Sequence, residues 1–411
     1  AIRSSRMLKR SFVGGLLSAG VCVRDVKMIS LPVLRYKLTT FGEVGGIHFR
    51  QSPEYPAPTE ILFCDTDGNE ISSGTAKGME RIYFKENFRR AHHTEPGRID
   101  ELPQIYDFYR QGFLRHLDRD QLMKTAPKVV VDLNHSPAAD LLPDLLSDLG
   151  FDVTELNSHV HEKTMDITAD KLDAALDRLS RIVMILEADA GFWIGPSGEK
   201  IRMVSAAGRA FSSREALSLL AVLVCEAEDE GSLVVPVAAP QAVDSLARGK
   251  GLNVQRTRSD GHSLVEAASN RHVRLVASMD DRFGFPDFQP HFDGLFTIAK
   301  VMELSARAGL SLDQAFAKLP GHTYHHLQLP CAWENKGGLM RRMSEDAVDQ
   351  RASFTDGVRI DTERGWVLLL PDEYRPIAHI YVEAVDQADA DALRDQYRSK
   401  VAGWLDELAA G

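Results

Sequence analysis

The chain has 411 residues, of which 44% are hydrophobic and 26% charged, and its net charge at pH 7 is -11. This length exceeds what one hydrophobic core supports, so we expect several domains. The acidic balance argues against a nucleic-acid backbone as partner, because binding to one requires a basic surface. No apolar run is long enough to cross a membrane, and four scattered cysteines without metal-site spacing are typical of a reduced cytoplasmic protein.

Residues 1–125 form the first predicted domain. Apolar residues at helical spacing predict an amphipathic helix over 4–20. A strand follows at 45–51, and the run 61–65 with its T-D-G-N turn predicts a hairpin. The order of strands and helices indicates an α/β domain whose first strand would precede Ala1.

Residues 126–229 and 230–345 form the second and third predicted domains. Buried strands alternate with helices in both, which predicts right-handed parallel sheets. The strands predicted in the second domain cover 128–132, 153–156 and 182–186. The third domain ends in a long helix that begins near Asp293.

Residues 346–411 form the last predicted domain. Three antiparallel strands followed by a helix over 389–405 predict a small α+β unit. The polar stretch 336–351 is predicted to link this unit to the third domain.

The stretch 45–56, GGIHFRQSPEYP, runs from a strand into a proline-bounded loop that contains Ser52. A serine there can be a nucleophile, a phosphate carrier or a turn-former. The residues alone favour the turn, because serine before proline is ordinary turn chemistry.

This stretch resembles the active-serine loop of the α-D-phosphohexomutase family, the phosphomannomutases and phosphoglucomutases. A strand G-I-x-I leads there into T-A-S-H-N-P, and Gly46, Ile47 and Ser52 match it. Further resemblances are G-x-x-V-x-R-T at 251–257 and G-V-R-I, G-W-V-L and Y-V-E-A in the last domain. The resemblance implies three successive α/β/α domains plus a small C-terminal α+β domain, a phosphoryl-carrying Ser52, and Mg²⁺.

Two family loops supply the metal and the phosphoserine. The D-x-D-x-D-R metal pattern is laid on 187–192, where Glu187 and Asp189 are the remaining carboxylates. Magnesium prefers a compact set of hard oxygens, and this pair is a reduced one. Beside Ser52 the family pattern is changed, and Arg50 is the cation that offsets the neighbouring acid.

Two other loops hold the sugar and the second phosphate. The G-E-x-S-G-H sugar pattern is laid on 278–283, with Asp280 and Arg282 as hydroxyl-binding candidates. The R-x-S-G-T-E-P phosphate pattern is laid on 370–376, where Arg375 is the only cation. It faces either a ligand or the acids beside it.

Changes in three of the four loops predict that ordinary mutase turnover is lost, since each electrostatic stabiliser is worth roughly ten- to a thousandfold in rate. The chain would then be a cytoplasmic sugar-phosphate-binding, regulatory or scaffold module, with Mg²⁺ bound weakly or not at all. Its ligand would be a hexose phosphate or nucleotide sugar, and its partner an upstream nucleotidyltransferase of the mannose-1-phosphate guanylyltransferase type. The alternative is an active phosphohexomutase that uses Ser52 and Mg²⁺ on Glu187 and Asp189. A third hypothesis is an interaction surface without a ligand.

Overall fold

The computed structural model describes residues 3–51, 59–102, 104–160, 168–270, 272–373 and 375–410. The predicted catalytic residue Ser52 lies outside the described residues. Among the helices that the structure describes, none is long and apolar enough to span a bilayer.

The first unit carries two small sheets rather than the single doubly wound sheet that the sequence indicates. Its elements are α1 (Arg3–Ser18), β1 (Val23–Asp25), α2 (Leu31–Phe41), β2 (Gly46–Gln51), β3 (Thr59–Cys64), α3 (Ser73–Phe84), β4 (Ile99–Glu101), α4 (Ile105–Arg115) and α5 (Arg119–Thr125). Strand β1 pairs in parallel with β4, and β2 pairs antiparallel with β3. The β1–β4 pair is only three residues long and β4 is exposed, so this sheet adds little to the core.

The second unit is a four-stranded sheet in the order β6-β5-β7-β8. Its elements are β5 (Lys128–Asp132), α6 (Leu142–Asp148), β6 (Asp152–Leu156), α7 (Ala169–Leu186), β7 (Ala190–Ile194), β8 (Ile201–Ser205) and α8 (Ser213–Ala227). Strands β5, β6 and β7 are parallel, as predicted, and β8 is antiparallel to β7.

The strand predicted over 182–186 is wrong, because these residues are the last turns of α7. Val183 packs in the core, whereas Ile185 is 78% exposed, so the apolar run is buried on one side only. A short apolar run has no period long enough to separate a strand from a helix end. The third parallel strand is β7, which begins four residues after the helix ends.

Helix α8 was not predicted, although it is a long and deeply buried helix. Every residue from 216 to 225 is buried. The helix starts with a capping box, in which Ser212 accepts from the backbone N–H of Glu215 while the Glu215 carboxylate accepts from that of Ser212. It packs against elements of both the second and the third units, so these two units share one core.

The third unit repeats the parallel arrangement, as predicted, with strand order β10-β9-β11-β12. Its elements are β9 (Ser232–Pro236), α9 (Ala242–Gly249), β10 (Asn253–Thr257), α10 (Gly261–Ala268), β11 (Val273–Ala277), β12 (Phe283–Gly284), α11 (Gly294–Ala308) and α12 (Leu312–Ala317). The chain turns from β11 into β12 through 278–282, the loop on which the sugar pattern was laid.

The last unit is an antiparallel sheet in the order β13-β17-β16-β15-β14 with helices against it. Its elements are β13 (Thr323–Pro330), α13 (Lys336–Asp346), β14 (Arg351–Ser353), β15 (Val358–Asp361), β16 (Gly365–Pro371), β17 (Ile377–Ala384) and α14 (Gln387–Ala410). The predicted α+β class is confirmed. The predicted polar link is instead helix α13, whose Leu339 and Met343 are buried against this sheet.

A buried carboxylate joins the first and third units at the start of α11. Asp293 caps the helix by accepting from the backbone N–H of Phe296 at 3.0 Å. Its other oxygen accepts from the Tyr109 hydroxyl at 2.7 Å and from Gln289 Nε2 at 2.5 Å. Burial raises the pKa of Asp293 to about 6, against the opposing effect of these donors.

Replacing this carboxylate should destabilise the protein strongly. For Asp293→Ala we expect the free energy of unfolding to fall by about 2–4 kcal/mol, because the variant loses a helix cap and leaves two buried donors unpaired. Urea unfolding measures the change. The matched control is Asp118→Ala, which removes the exposed cap of α5 and should cost about 1 kcal/mol. Equal losses in both variants would contradict the bridging role of Asp293.

Candidate functional site

Three loops from the first three units meet at one place. They are the end of β2, the loop 195–200 between β7 and β8, and the loop 278–282 between β11 and β12. Lys200 forms an isolated antiparallel bridge with Arg282, and the backbone N–H of Ile201 donates to the Asp281 carbonyl at 2.9 Å. The second and third loops follow parallel strands, and the carboxyl ends of such strands are where α/β proteins place ligands.

The loop 195–200 is held in place by two helix N-termini. The backbone N–H of Leu31, at the start of α2, donates to the Ser197 carbonyl at 2.9 Å. The backbone N–H of Gly294, at the start of α11, donates to the Gly198 carbonyl at 2.9 Å. Gly198 has a φ of +83°, and a Cβ there would lie 2.8 Å from the Ser30 Cβ, so the turn requires glycine.

Glu199 is the centre of a buried ion-pair cluster, which we call the Glu199 cluster (Arg35, Arg50, Glu60, Glu70 and Glu199). Glu199 Oε1 accepts from Arg35 Nη1 at 2.7 Å, and Oε2 accepts from Arg50 Nη1 at 2.8 Å. Arg35 also pairs with Glu70 at 3.1 Å, and Arg50 with Glu60 at 2.7 Å. The predicted residue Arg50 therefore faces two carboxylates within the fold.

The two guanidinium groups control the charge of Glu199. Burial alone would raise the pKa of Glu199, but the positive charges of Arg35 and Arg50 outweigh it and lower the pKa to about 2. The carboxylate is therefore ionised at neutral pH, and it ties α2 and β2 of the first unit to the loop of the second.

Neutralising this carboxylate should leave two buried cations poorly compensated. For Glu199→Gln we expect the free energy of unfolding to fall by about 3–5 kcal/mol, the usual effect of removing one partner of a buried ion pair. Glu60→Gln serves as the control, because the Glu60 side chain is 37% exposed and its loss should cost less than about 1 kcal/mol. Urea denaturation of both variants decides whether burial sets the difference.

The same cluster should give the protein a specific acid dependence. The folded pKa of Glu199 lies below its ordinary value of 4.5, so its stabilisation is present above pH 4.5 and is lost as pH falls through 2. The stability difference between the wild type and Glu199→Gln should shrink below about pH 4.5. Urea unfolding at pH 6, 5, 4 and 3 measures it, and parallel curves for the two proteins would refute the expectation.

The sugar-loop candidates form a second cluster beside the first. Asp280 accepts from Arg282 Nε at 2.9 Å and pairs with Lys200 Nζ at 3.1 Å, and the Ser278 hydroxyl also donates to it. Burial would raise the pKa of Asp280, but Arg282 and Lys200 lower it well below its ordinary value. The Arg282 guanidinium lies 4.8 Å from the centre of the Phe292 ring. Asp280 and Arg282 thus lie together and pair chiefly with each other.

Two histidines near the clusters are neutral. Burial lowers the pKa of His48 to about 4 and that of His291 to about 3, and nearby arginines add to both effects. His291 donates through Nε2 to Asn69 Oδ1 at 3.2 Å, linking the third unit to the first. Asn69, His262 and Arg282 line a narrow crevice next to it.

The structure places the predicted metal residues at the other end of β7. Glu187 is an exposed residue with φ of +51° that ends α7. Asp189 is exposed as well, and its Oδ2 accepts from the backbone N–H of Lys128 at 2.8 Å. Both precede β7, so a five-residue strand, roughly 16 Å long, separates them from the loop that follows it.

The loop that follows β7 is 195–200, which reads G-P-S-G-E-K. Only Glu199 supplies a carboxylate there, and both of its oxygens already accept from guanidinium groups. Magnesium needs hard oxygens that are open to it, and this loop does not provide them. Among the described residues, no group of three or more histidine, cysteine or acidic side chains is arranged to hold a metal.

In the fourth predicted loop, the charged side chains pair with one another. Arg375 donates through Nε and Nη2 to Asp372 Oδ2, at 2.9 and 2.7 Å. His379 contacts the same oxygen at 2.9 Å, and Lys336 donates to the carbonyls of Asp372 and Arg375. Of the two alternatives for Arg375, the structure shows the acid partner.

Of the Glu199 cluster only Arg50 was predicted, and Arg35, Glu60, Glu70 and Glu199 were missed. Arg35 gave no signal, because it lies on a helix and its partners are distant in the chain. Glu199 could have been identified, because an acidic residue followed by the basic Lys200 is similar to the D-R that ends the metal pattern.

Fold and site together define a protein of successive α/β units whose loops enclose a charged cleft. The model for the phosphoglucomutase/phosphomannomutase α/β/α domain I matches residues 3–90. A phosphoglucomutase/phosphomannomutase of Thermococcus kodakarensis is 26% identical over 94% of this chain and 85% of its own length. The chain is thus similar to phosphoglucomutases and phosphomannomutases, members of the α-D-phosphohexomutase family, over nearly its whole length.

Solved structures agree with this fold. A phosphoglucomutase/phosphomannomutase family protein of Burkholderia thailandensis gives a TM-score of 0.79 at 20% identity, over 95% of this chain and 84% of that one. An N-acetylphosphoglucosamine mutase of Aspergillus fumigatus, solved with GlcNAc-6P and magnesium, gives 0.60 at 11% identity, over 91% and 96% of the two chains. At these identities the likeness shows the fold, and the predicted fold class is confirmed.

Proposed function

We propose that this chain binds a hexose phosphate in the cleft between its first three units. Similarity to the phosphohexomutases supports a sugar-phosphate ligand, since the Aspergillus protein of the same fold was solved with GlcNAc-6P. The crevice has a volume of only about 10 Å³ and admits no sugar, so the ligand would lie across its mouth. There Asn69 and His262 are suited to sugar hydroxyls, and Arg282 to the anion. A nucleotide sugar is the second ligand of the same chemistry.

The contact of Glu199 with two guanidinium groups is the main support for the proposal that mutase turnover is lost. In the family the loop after this strand supplies carboxylates to Mg²⁺, whereas here one carboxylate remains and two arginines hold it. This geometry supports a binding role without metal-assisted phosphoryl transfer, as in a regulatory or scaffold module. An upstream nucleotidyltransferase stays a prediction for the partner of such a module.

The second candidate is an active phosphohexomutase, and the comparisons favour it. The Thermococcus relative carries a mutase name, and its similarity extends over 94% of this chain. In this candidate Ser52 carries the phosphoryl group, and Arg50, two residues before it, offsets part of the negative charge. Electrostatic compensation of that kind is the main contribution that proteins make to phosphoryl transfer.

A binding experiment tests the shared part of both candidates. Calorimetry with glucose 6-phosphate and mannose 6-phosphate should show saturable binding that Arg282→Gln weakens by about tenfold or more, because it removes a charge-assisted contact. Arg258→Gln is the control, since the Arg258 side chain is largely exposed. Equal binding by both variants, or no binding by the wild type, would reject the cleft as the hexose phosphate site.

A coupled assay separates the two candidates. Glucose 1-phosphate or mannose 1-phosphate is supplied with glucose 1,6-bisphosphate and MgCl₂, and formation of the 6-phosphate is followed. We expect binding without turnover. Turnover that is abolished by Ser52→Ala, retained in the control Ser72→Ala and accompanied by one phosphoryl group on Ser52 in the intact mass would establish the mutase instead.

A further inference from the structure

A second cavity lies in the second unit, away from the cleft. Its volume is about 290 Å³, close to the lower end of the range for small-molecule sites. It opens at the carboxyl ends of β5 and β6, beneath the first half of α7. None of its lining residues belongs to the Glu199 cluster or to the sugar loop.

The floor of this cavity is a fixed carboxylate. Asp132 is 1% exposed, and its Oδ1 accepts from Asn157 Nδ2 at 2.8 Å and from the backbone N–H of Asn134 at 3.0 Å. Its Oδ2 accepts from Arg178 Nη2 at 3.3 Å. Such a carboxylate is oriented before any ligand arrives, which lowers the entropy cost of binding.

The loop after β5 carries an unmet hydrogen-bond donor at the cavity wall. Asn134 is 91% buried, and its Nδ2 has no hydrogen-bond partner. Asn134 and His135 both adopt left-handed backbone angles, with φ of +48° and +55°. A buried amide without a partner costs about 1–3 kcal/mol, so an acceptor supplied by a ligand would recover part of that free energy.

Helix α7 presents positive charge to the cavity. Lys171 and Arg178 line it, together with Ala175, at the spacing i, i+4, i+7 that defines one helix face. Asp173 and Asp177 of the same helix are exposed and take no part in the lining. Among the described lining residues, Lys171 and Arg178 are the cations and Asp132 is the carboxylate.

We propose that this cavity is a separate site for a small organic phosphate monoester. Lys171 and the half-exposed Arg178 would receive the phosphate, because guanidinium and ammonium groups match its oxygens. Asp132 and the Asn134 amide would bond hydroxyl groups of the attached sugar. Trp193 and Leu172 supply the apolar wall against which the ring would pack. The monoester could be a hexose phosphate or a mononucleotide, which offer the same phosphate and hydroxyl chemistry.

Calorimetry and protein-observed NMR on the full chain test the proposal, with glucose 6-phosphate, GMP and inorganic phosphate as probes. Arg178→Gln and Lys171→Gln should each weaken binding of the preferred ester by about tenfold. Arg181→Gln, on the exposed face of the same helix, is the matched control and should bind like the wild type. Ala174→Phe, which fills the cavity from its exposed rim, should abolish binding at this site.

Variants of the two sites distinguish ligand binding in this cavity from ligand binding in the cleft. Loss in Arg178→Gln with retention in Arg282→Gln supports this site, and preference for GMP or glucose 6-phosphate identifies the ester. Inorganic phosphate binding as tightly as both esters would overturn the role given to Asp132 and Asn134. Equal affinity in Arg178→Gln, Arg181→Gln and the wild type, or no binding of any probe at millimolar concentration, would overturn the proposal. Unchanged melting temperatures confirm that the variants are folded.

Discussion

The buried carboxylate of Glu199 ties two elements of the first unit of this protein to the second. Its two oxygens accept from guanidinium groups on different elements of the first unit, α2 and β2. Buried charges persist only where geometry and extra hydrogen bonds repay their desolvation, and here Glu60 and Glu70 complete the arginine pairing. The position of β2 relative to the loop 278–282 follows from this arrangement.

This constraint also shapes the chemistry that the cleft offers. Four cations and four acids of the two clusters face one another, with Lys200 and Arg282 around Asp280 next to the Glu199 cluster. The cleft is polar and ordered, but its charges are largely satisfied within the protein. A ligand must therefore gain its binding free energy from contacts that add to these pairs or replace them, and this favours recognition over stabilisation of a transferring phosphoryl group.

Much of the fold was predictable from the sequence, because strands buried on both faces and amphipathic helices have distinct patterns. The strands β5 and β6 and the helix α11 were predicted at nearly their observed positions. The prediction failed where a pattern was short or uniform. An apolar helix end was taken for a strand, α8 has no polar face to show a period, and α13 is polar enough to resemble a link.

The candidate site was less predictable than the fold. Loop patterns located Arg50, Asp280 and Arg282, which do meet in space, but the partners of each came from other units. Ion pairs between residues 35, 50 and 199 leave no local signature, since nothing in the neighbouring sequence specifies them. The metal pattern was placed before β7, at Glu187 and Asp189, and this assignment stays a prediction.

Helix α8 has a consequence for how the chain acquires its structure. A helix that is apolar all round has no face to leave in water, and part of its covering, α11, is made about seventy residues later in the chain. During synthesis, part of the apolar surface of α8 therefore stays exposed until the third unit has emerged from the ribosome. The two units are expected to become stable in one cooperative step, and a chain ended between them would be prone to aggregate.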